Sequence, residues 1–191
     1  MGKQFKQLNA QQIDFIQQQK IFFIATAASS GHVNMSPKGG DSFRILNEHQ
    51  VIWQNYTGSG NETAAHLHQD PRMTIMFCAF EGNPIILRLY GQATAIHKTD
   101  TQWSTYVDFF PKNTGTRQFY LLDINMVQTS CGMSVPFFDY LNDREQLTNW
   151  AEAKGHEGIQ EYWRNRNQHS IDNMDTHIVK LAGIDEKEAT N

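Results

Sequence analysis

Two short segments combine glycine with small hydrogen-bonding side chains, a pattern that suits anion binding. They are NMSPKGG (34–40) and YTGSGNET (56–63). In the second, Asn61 and Thr63 lie where a loop turns into a helix, and the free backbone N–H groups of such a terminus favour phosphate. Lys38, in the first segment, adds a positive charge. The alternative is structural, because the same glycines can form a turn and Asn61 can cap the helix.

Arg88 is a second candidate for anion binding. It lies in ILRLYG, where the alternation of a strand places it on the face opposite Leu87 and Leu89. An arginine on such a face binds an anion bidentately, faces solvent, or pairs with an acid such as Glu62. The sequence leaves these alternatives open.

Other chemistries have less support. His66 and His68 in HLHQD resemble metal ligands, but residues two apart on a helix point in different directions, so we predict no metal. Cys131 in TSCG is either a reactive thiol or a buried one, with no histidine near it in sequence. No nucleophile elbow, dinucleotide fingerprint or P-loop is present.

Apolar and alternating runs predict the strands that position these segments. Short intervals and tight turns between the runs favour an antiparallel meander. The predicted strands are 21–29, 33–36, 42–46, 50–56, 72–80, 84–97 and 117–130.

Helical patterns flank these strands. Asn9 and Gln12 form a capping box for a helix over 8–20, and Pro71 ends a short helix that follows Asn61. Aromatic residues in TDTQWSTYVDFFP repeat at helical spacing, which indicates core packing. Two further helices, separated by Gly155, are expected within about 142–170. The sequence makes no prediction for the polar last twenty residues.

Composition indicates one domain over residues 1–191. Hydrophobic residues make up 39% of the chain, and the formal net charge is −4, which argues against nucleic-acid or membrane partners. There is no membrane-length apolar segment and no targeting sequence. Only two cysteines are present, far apart, so we expect a cytoplasmic protein.

Several motifs together resemble the FMN-binding split-barrel family related to pyridoxamine 5′-phosphate oxidase. The motifs are GHVNMSPKGGDSFRIL, TGSGNETAAHL, FCAFEG, ILRLYG and VQTSCGMSVPFFDY, and the similarity covers about residues 10–170. The resemblance implies a mainly β fold with flanking helices, a six-stranded antiparallel split β-barrel. It also implies a homodimer with FMN at the subunit interface.

Carried over position by position, the resemblance also implies a cofactor site. The residues expected along the flavin and its ribityl chain are Asn34, Ser36, Pro37, Lys38, Tyr56 and Thr57. Those expected at the phosphate are Gly60, Asn61 and Thr63, with Arg88 near the same region or the ring edge. Ser130 and Cys131 in the TSCG turn are expected to reach the partner's flavin.

This chain departs from the family pattern at two places. Glu62 and Thr63 stand where the related oxidases have an Arg-Lys pair, which leaves Lys38, Arg88 and helix-terminus amides for the phosphate. The C-terminal Arg and His signature for the pyridoxal substrate is also absent, which argues against pyridoxamine oxidation.

The sequence therefore predicts an FMN-dependent oxidoreductase with an unidentified small-molecule substrate and no assigned catalytic residue. The alternative is a non-catalytic flavin, haem or small-ligand binding protein that serves as a sensor or carrier. A two-fold dimer is expected, because VPFFDY together with Trp150 and Trp163 exceeds the apolar surface that a monomer readily hides.

Overall fold

The computed structural model describes residues 2–184. Its strands are β1 (Lys3–Phe5), β2 (Ile21–Thr26), β3 (Asn34–Gly39), β4 (Phe43–Asn47), β5 (Gln50–Tyr56), β6 (Arg72–Cys78), β7 (Ile85–Ile96) and β8 (Thr116–Cys131). Its helices are α1 (Ala10–Gln18), α2 (Glu62–Leu67), α3 (Trp103–Tyr106), α4 (Gln146–Arg166) and α5 (Ile178–Leu181). A single 3₁₀ turn, Val107–Phe109, follows α3.

The strands form one antiparallel sheet in the order β3-β2-β6-β7-β8-β5-β4, and β1 pairs with β8. This mainly β, curled half-barrel with flanking helices confirms the predicted fold class. Eight strands lie within the described residues, rather than the six that the resemblance implied. The sequence did not predict β1, because three residues are too few to show an alternating pattern.

Alternation along the strands builds the core on the inner face of the sheet. Trp53 of β5 stacks on Tyr120 of β8 with ring centroids 4.5 Å apart, and Phe22 of β2 packs against Phe43 and Phe77. These contacts bury large aromatic area, which stabilises the fold by roughly 25 cal/mol per Å². The inner face therefore carries the main hydrophobic core.

A second cluster packs on the outer side of β8. Phe119 contacts both Trp103 and Phe110 there, as the aromatic spacing predicted. The helix itself is shorter than the pattern indicated, because α3 ends at Tyr106 and continues only as the 3₁₀ turn. The pattern thus identified core residues better than it identified their local structure.

The helix ends follow the sequence signals unevenly. The capping box between Asn9 and Gln12 is present, and α4 is broken at Gly155, whose φ of +64° favours glycine. Asn61 precedes α2 but makes no capping hydrogen bond with its side chain. Of the last twenty residues, Ile178–Leu181 forms α5, and 185–191 lie outside the described residues. No helix among the described residues is long and apolar enough to cross a membrane.

Candidate functional site

A cavity of about 280 Å³ opens where β3, the loop before α2 and the start of β8 converge. It contains seven of the twelve residues that the resemblance implied. These are Asn34, Ser36, Lys38, Tyr56, Gly60, Asn61 and Thr63. The two polar segments that are separate in the sequence therefore meet at one site.

Strand alternation explains how β3 contributes to this cavity. Its pairing with β2 aligns Lys38 with Phe22 and Ser36 with Ile24, so these polar side chains lie on the inner side of the sheet. Ser36 Oγ donates to Asn34 Oδ1 over 3.1 Å. Because β3 is an edge strand, its inner side is open at the cavity rather than filled by core residues.

Arg117 enters the cavity from β8 and was not predicted from the sequence. Asn55 pairs with Gln118 and Tyr56 with Thr116, so Arg117 is the extra residue of a β-bulge. A bulge re-aims a side chain from the face that strict alternation would give it. Arg117 is 3% exposed and donates from Nη1 to the carbonyl oxygen of Gly60 over 3.0 Å.

Lys38 is the second cation that lines this cavity. Burial, followed by the positive charge of Arg117, lowers the pKa of Lys38 from 10.5 to about 8. Burial likewise lowers the pKa of Arg117 to about 10. Loss of hydration disfavours the charged form of both side chains. An anion beside them would offset this cost, so the site favours an anion.

Neither cation has a carboxylate partner within the described residues. The ion pairs found there involve other arginines and histidines. Glu62 lines the cavity, but one of its carboxylate oxygens, Oε2, accepts a hydrogen bond from the backbone N–H of Ile171 over 3.0 Å. Glu62 also raises the pKa of Arg117, although less than burial lowers it. The net charge of the site is therefore positive.

Buried amides form the inner wall of the cavity. Gln118 Nε2 donates to Asn61 Oδ1 over 2.9 Å and to the Tyr120 hydroxyl over 2.6 Å. Asn61 Nδ2 is buried without a hydrogen-bond partner, and so is Arg117 Nε. Unsatisfied buried donors are costly, so the cavity is chemically suited to a ligand rich in acceptor oxygens.

Comparison with known proteins places this architecture in a family. A family model described as Pyridoxamine 5′-phosphate oxidase matches residues 8–131. The pyridoxamine 5′-phosphate oxidase family protein ustO of Aspergillus flavus is 35% identical over 179 residues, which cover 84% of this chain and 72% of ustO. The chain belongs to the pyridoxamine 5′-phosphate oxidase family.

Solved structures agree on the fold. A candidate pyridoxamine 5′-phosphate oxidase of Lactobacillus delbrueckii superposes with a TM-score of 0.52 at 14% identity, over 64% of this chain and 94% of that chain. A single-substitution variant of HupZ from Group A Streptococcus gives a TM-score of 0.51 at 15% identity, over 64% and 98% of the two chains. At these identities the similarity concerns the fold alone.

The departure from the pyridoxamine 5′-phosphate oxidase pattern at Glu62 and Thr63 has a structural counterpart. Thr63 accepts a hydrogen bond from Asn34 Nδ2 over 3.4 Å, and Glu62 is held by the Ile171 amide. Arg117 brings a guanidinium to the same cavity from a different strand. A guanidinium therefore reaches the cavity from β8 and not from the loop before α2.

The remaining predicted residues do not line this cavity. Thr57 is buried beside it, donating to the Gly115 carbonyl over 2.8 Å and accepting from Trp163 Nε1 over 2.8 Å. Pro37 lies on the exposed side of β3. Arg88, Ser130 and Cys131 lie on β7 and β8, away from the cavity lining.

Arg88 instead belongs to the outer face of the sheet. Its neighbours Leu87 and Leu89 are fully buried on the inner face, as alternation predicted. Arg88 Nη1 donates to Ser130 Oγ over 3.1 Å, and its predicted alternative partner Glu62 is bound elsewhere. Seven of the twelve predicted residues therefore form a cavity group, and Arg88 and Ser130 form an outer-face group. The other three, Thr57, Pro37 and Cys131, belong to neither group.

Two other sequence-based predictions concern His66 and the aromatic C-terminal helices. His66 is buried and its Nδ1 contacts Thr26 Oγ1 at 3.1 Å, and no cluster of metal-binding residues occurs among residues 2–184. Trp163 is 1% exposed, so the expectation that it adds exposed apolar surface was wrong. Its helix folds back and packs around Ile178 of the same chain.

Proposed function

We propose that this protein binds FMN in the cavity and acts as an oxidoreductase with a small-molecule substrate. The observation that carries this proposal is the convergence of Arg117, which is buried, and Lys38, which is half-buried, on a cavity rich in hydrogen-bond donors. Neither cation has a carboxylate partner among the described residues. A phosphate monoester at pH 7 carries close to two negative charges and three acceptor oxygens, which matches this set of groups.

The residues present fit the phosphate end of FMN. A guanidinium offers planar, directed donors to phosphate oxygens, whereas an ammonium acts as a point charge. Arg117 and Lys38 would fill these two roles, and the backbone of Gly60 would lie alongside. The helix α2 has only six residues, so its dipole contributes less than the two cations.

The same cavity extends along residues suited to the polar chain of the cofactor. Asn34, Ser36 and Tyr56 present amide and hydroxyl groups on its walls. In this proposal they would hydrogen-bond the ribityl hydroxyls, and the protein would orient the cofactor and limit its exposure to water. FMN, when bound, would supply electron transfer, so the protein needs no nucleophile of its own.

The outer-face group leads us to propose a homodimer. Arg88 and Ser130 lie on the outer sheet face, whose edge includes Met35 (64% exposed), and Cys131 is exposed at the end of β8. The segment after β8 exposes Phe137 (78%) and Phe138 (60%). A second copy would cover this apolar surface, and Arg88, Ser130 and Cys131 would reach the flavin of the partner.

An absorbance scan between about 300 and 550 nm, after FMN addition and desalting, tests flavin binding. We expect flavin bands in the wild type and a loss of about 10- to 100-fold in FMN affinity in Arg117→Met, the range for charged hydrogen bonds. Arg72→Met is the control, because Arg72 is exposed and lies outside the cavity lining. Colourless wild-type protein would refute the proposal.

A second arm of this experiment separates an enzyme from a flavin carrier. Reduction of the bound FMN by NADH or NADPH, with turnover on a quinone or dye, supports the oxidoreductase. A flavin that stays oxidised with both donors supports a non-catalytic binding protein.

A further inference from the structure

Arg117 is held in the cavity by neutral partners only. Besides the Gly60 carbonyl, its Nη1 donates to Oδ1 of Asn167 over 2.6 Å. A buried arginine is ordinarily paired with a carboxylate, because a lone charge in the interior is costly. An amide at this position satisfies the hydrogen bond without neutralising the guanidinium. The positive charge therefore remains available to a ligand.

Asn167 also holds the loop that borders the cavity. Its Nδ2 donates to the Gly58 carbonyl over 3.1 Å, and the backbone carbonyl of Asn167 accepts from Thr176 Oγ1 over 2.6 Å. Asn167 is 0% exposed. A single side chain thus fixes the direction of Arg117 and the position of the glycine loop together.

The segment that carries Asn167 is anchored to the site at two further places. Trp163 donates to Thr57 Oγ1, and the Ile171 amide donates to Glu62. Asn167, Trp163 and Ile171 all lie beyond residue 131, where the match to the family model ends. The C-terminal extension is therefore hydrogen-bonded to residues that line the cavity, rather than merely appended to the barrel.

We propose that Asn167 is a positioning residue that keeps Arg117 directed at the cavity and hydrogen-bonded to an amide rather than to a carboxylate, so that the C-terminal extension completes a phosphate site. This inference rests on the proposed function in taking the phosphate to be that of FMN. It adds that the extension determines affinity for the phosphate and has no direct contact with the flavin ring.

Asn167→Asp tests this inference, because it places a carboxylate where the amide oxygen now accepts from Arg117. We expect FMN affinity to fall by about 10- to 100-fold, while affinity for riboflavin, which lacks the phosphate, stays within about twofold. Asn165→Asp is the matched control, since Asn165 is exposed on the same helix. Equal losses for FMN and riboflavin would overturn the inference.

A double-mutant cycle separates positioning from general damage to the loop. In the Arg117→Met background, Asn167→Asp should change the ratio of FMN to riboflavin affinity by less than about twofold, because the guanidinium that Asn167 positions is absent. The same loss in both backgrounds would show that Asn167 acts on the loop alone. Asn167→Ala serves if the aspartate variant does not fold, and it should also weaken FMN more than riboflavin.

Inorganic phosphate distinguishes failure of this inference from failure of the proposed function. Phosphate should raise the melting temperature of the wild type, and this increase should be lost in Asn167→Asp. If that holds while no flavin binds, the phosphate site stands and the flavin proposal fails. If flavin binds but the variant behaves as the wild type with both ligands, the inference about Asn167 fails. A wild type stabilised by neither phosphate nor FMN would overturn the inference as well.

Discussion

Arg117 and Lys38 show how burial can prepare a site for a ligand before the ligand arrives. Each side chain loses hydration, and the positive charge of Arg117 further disfavours the charged form of Lys38. An anion that binds between them offsets both costs, so the free protein is already predisposed to bind it. At the residue scale, the proposed function of this pair therefore rests on the lack of a carboxylate ion pair to either cation among residues 2–184.

The lowered pKa of Lys38 predicts how flavin affinity depends on pH. Free protein loses the Lys38 proton near pH 8, and the neutral amine attracts phosphate less well. FMN affinity should therefore fall by up to about fivefold from pH 8 to pH 9, as the protonated fraction of Lys38 falls from about one half to about one tenth. Fluorescence titrations across this range measure it, and the decline should be missing in Lys38→Met. A constant dissociation constant in the wild type would contradict this prediction.

The stability of the ligand-free fold should follow pH in the opposite direction. Unfolded Lys38 keeps its proton up to its ordinary pKa of 10.5, whereas the folded protein releases it near 8. Between these values the unfolded chain binds more protons, so the contribution of Lys38 to stability rises with pH. If the free energy of unfolding rises and FMN affinity falls over the same pH range, deprotonation of Lys38 accounts for both changes.

The residues that the sequence singled out by type and local pattern meet at one cavity, and their contact with a cofactor stays a prediction. Lys38, Asn61 and Thr63 were identified from their spacing with glycines, and all three line the cavity. Arg117 was missed because a bulge re-aims its side chain, and a bulge depends on pairing with β5 rather than on its own sequence. Asn167 was missed because its partners lie 50 and 109 positions away.

At the scale of elements, the strands were predictable because their side chains alternate between the two faces. The burial pattern of β2 follows this alternation, and Leu87 and Leu89 of β7 are buried as expected. The sheet order was not derivable from alternation, since it depends on which strands meet in space. The resemblance to a known family supplied the barrel class but not the strand order, and the comparisons confirmed the family.

The long pairing of β7 with β8 contains a local irregularity that residue propensities do not predict. The register shifts between Tyr90 and Gly91, and a Cβ at Gly91 would lie 1.9 Å from the carbonyl oxygen of Asp123. Only glycine permits this approach of the two backbones. A glycine inside a strand can therefore be as restrictive for the fold as a glycine in a turn.

At the scale of the whole molecule, the exposed apolar segment after β8 predicts a dimer. We expect wild-type protein to have twice the mass of one chain by light scattering, and Phe137→Asp to shift it towards one chain, because Phe137 is 78% exposed. Ile171→Asp is the control, since Ile171 is similarly exposed (77%) in another region. A wild type that remains monomeric at micromolar concentration would refute the dimer.

A flavin site between two copies would bring both groups of predicted residues into contact with the same cofactor. The cavity group would hold the phosphate and ribityl chain in one protomer, and Arg88, Ser130 and Cys131 would approach from the other. If the dimer fails while FMN still binds, the cavity group alone is the site. The two halves of the prediction are therefore independently testable.

The central claim is that the cavity formed by Arg117 and Lys38 binds the phosphate of FMN. Calorimetric titration of the wild-type protein with FMN and with riboflavin tests it most directly, because the two ligands differ only in that phosphate. We predict that FMN binds at least about 100-fold more tightly than riboflavin. Equal affinities would contradict the claim, because the phosphate would then gain nothing from the two cations.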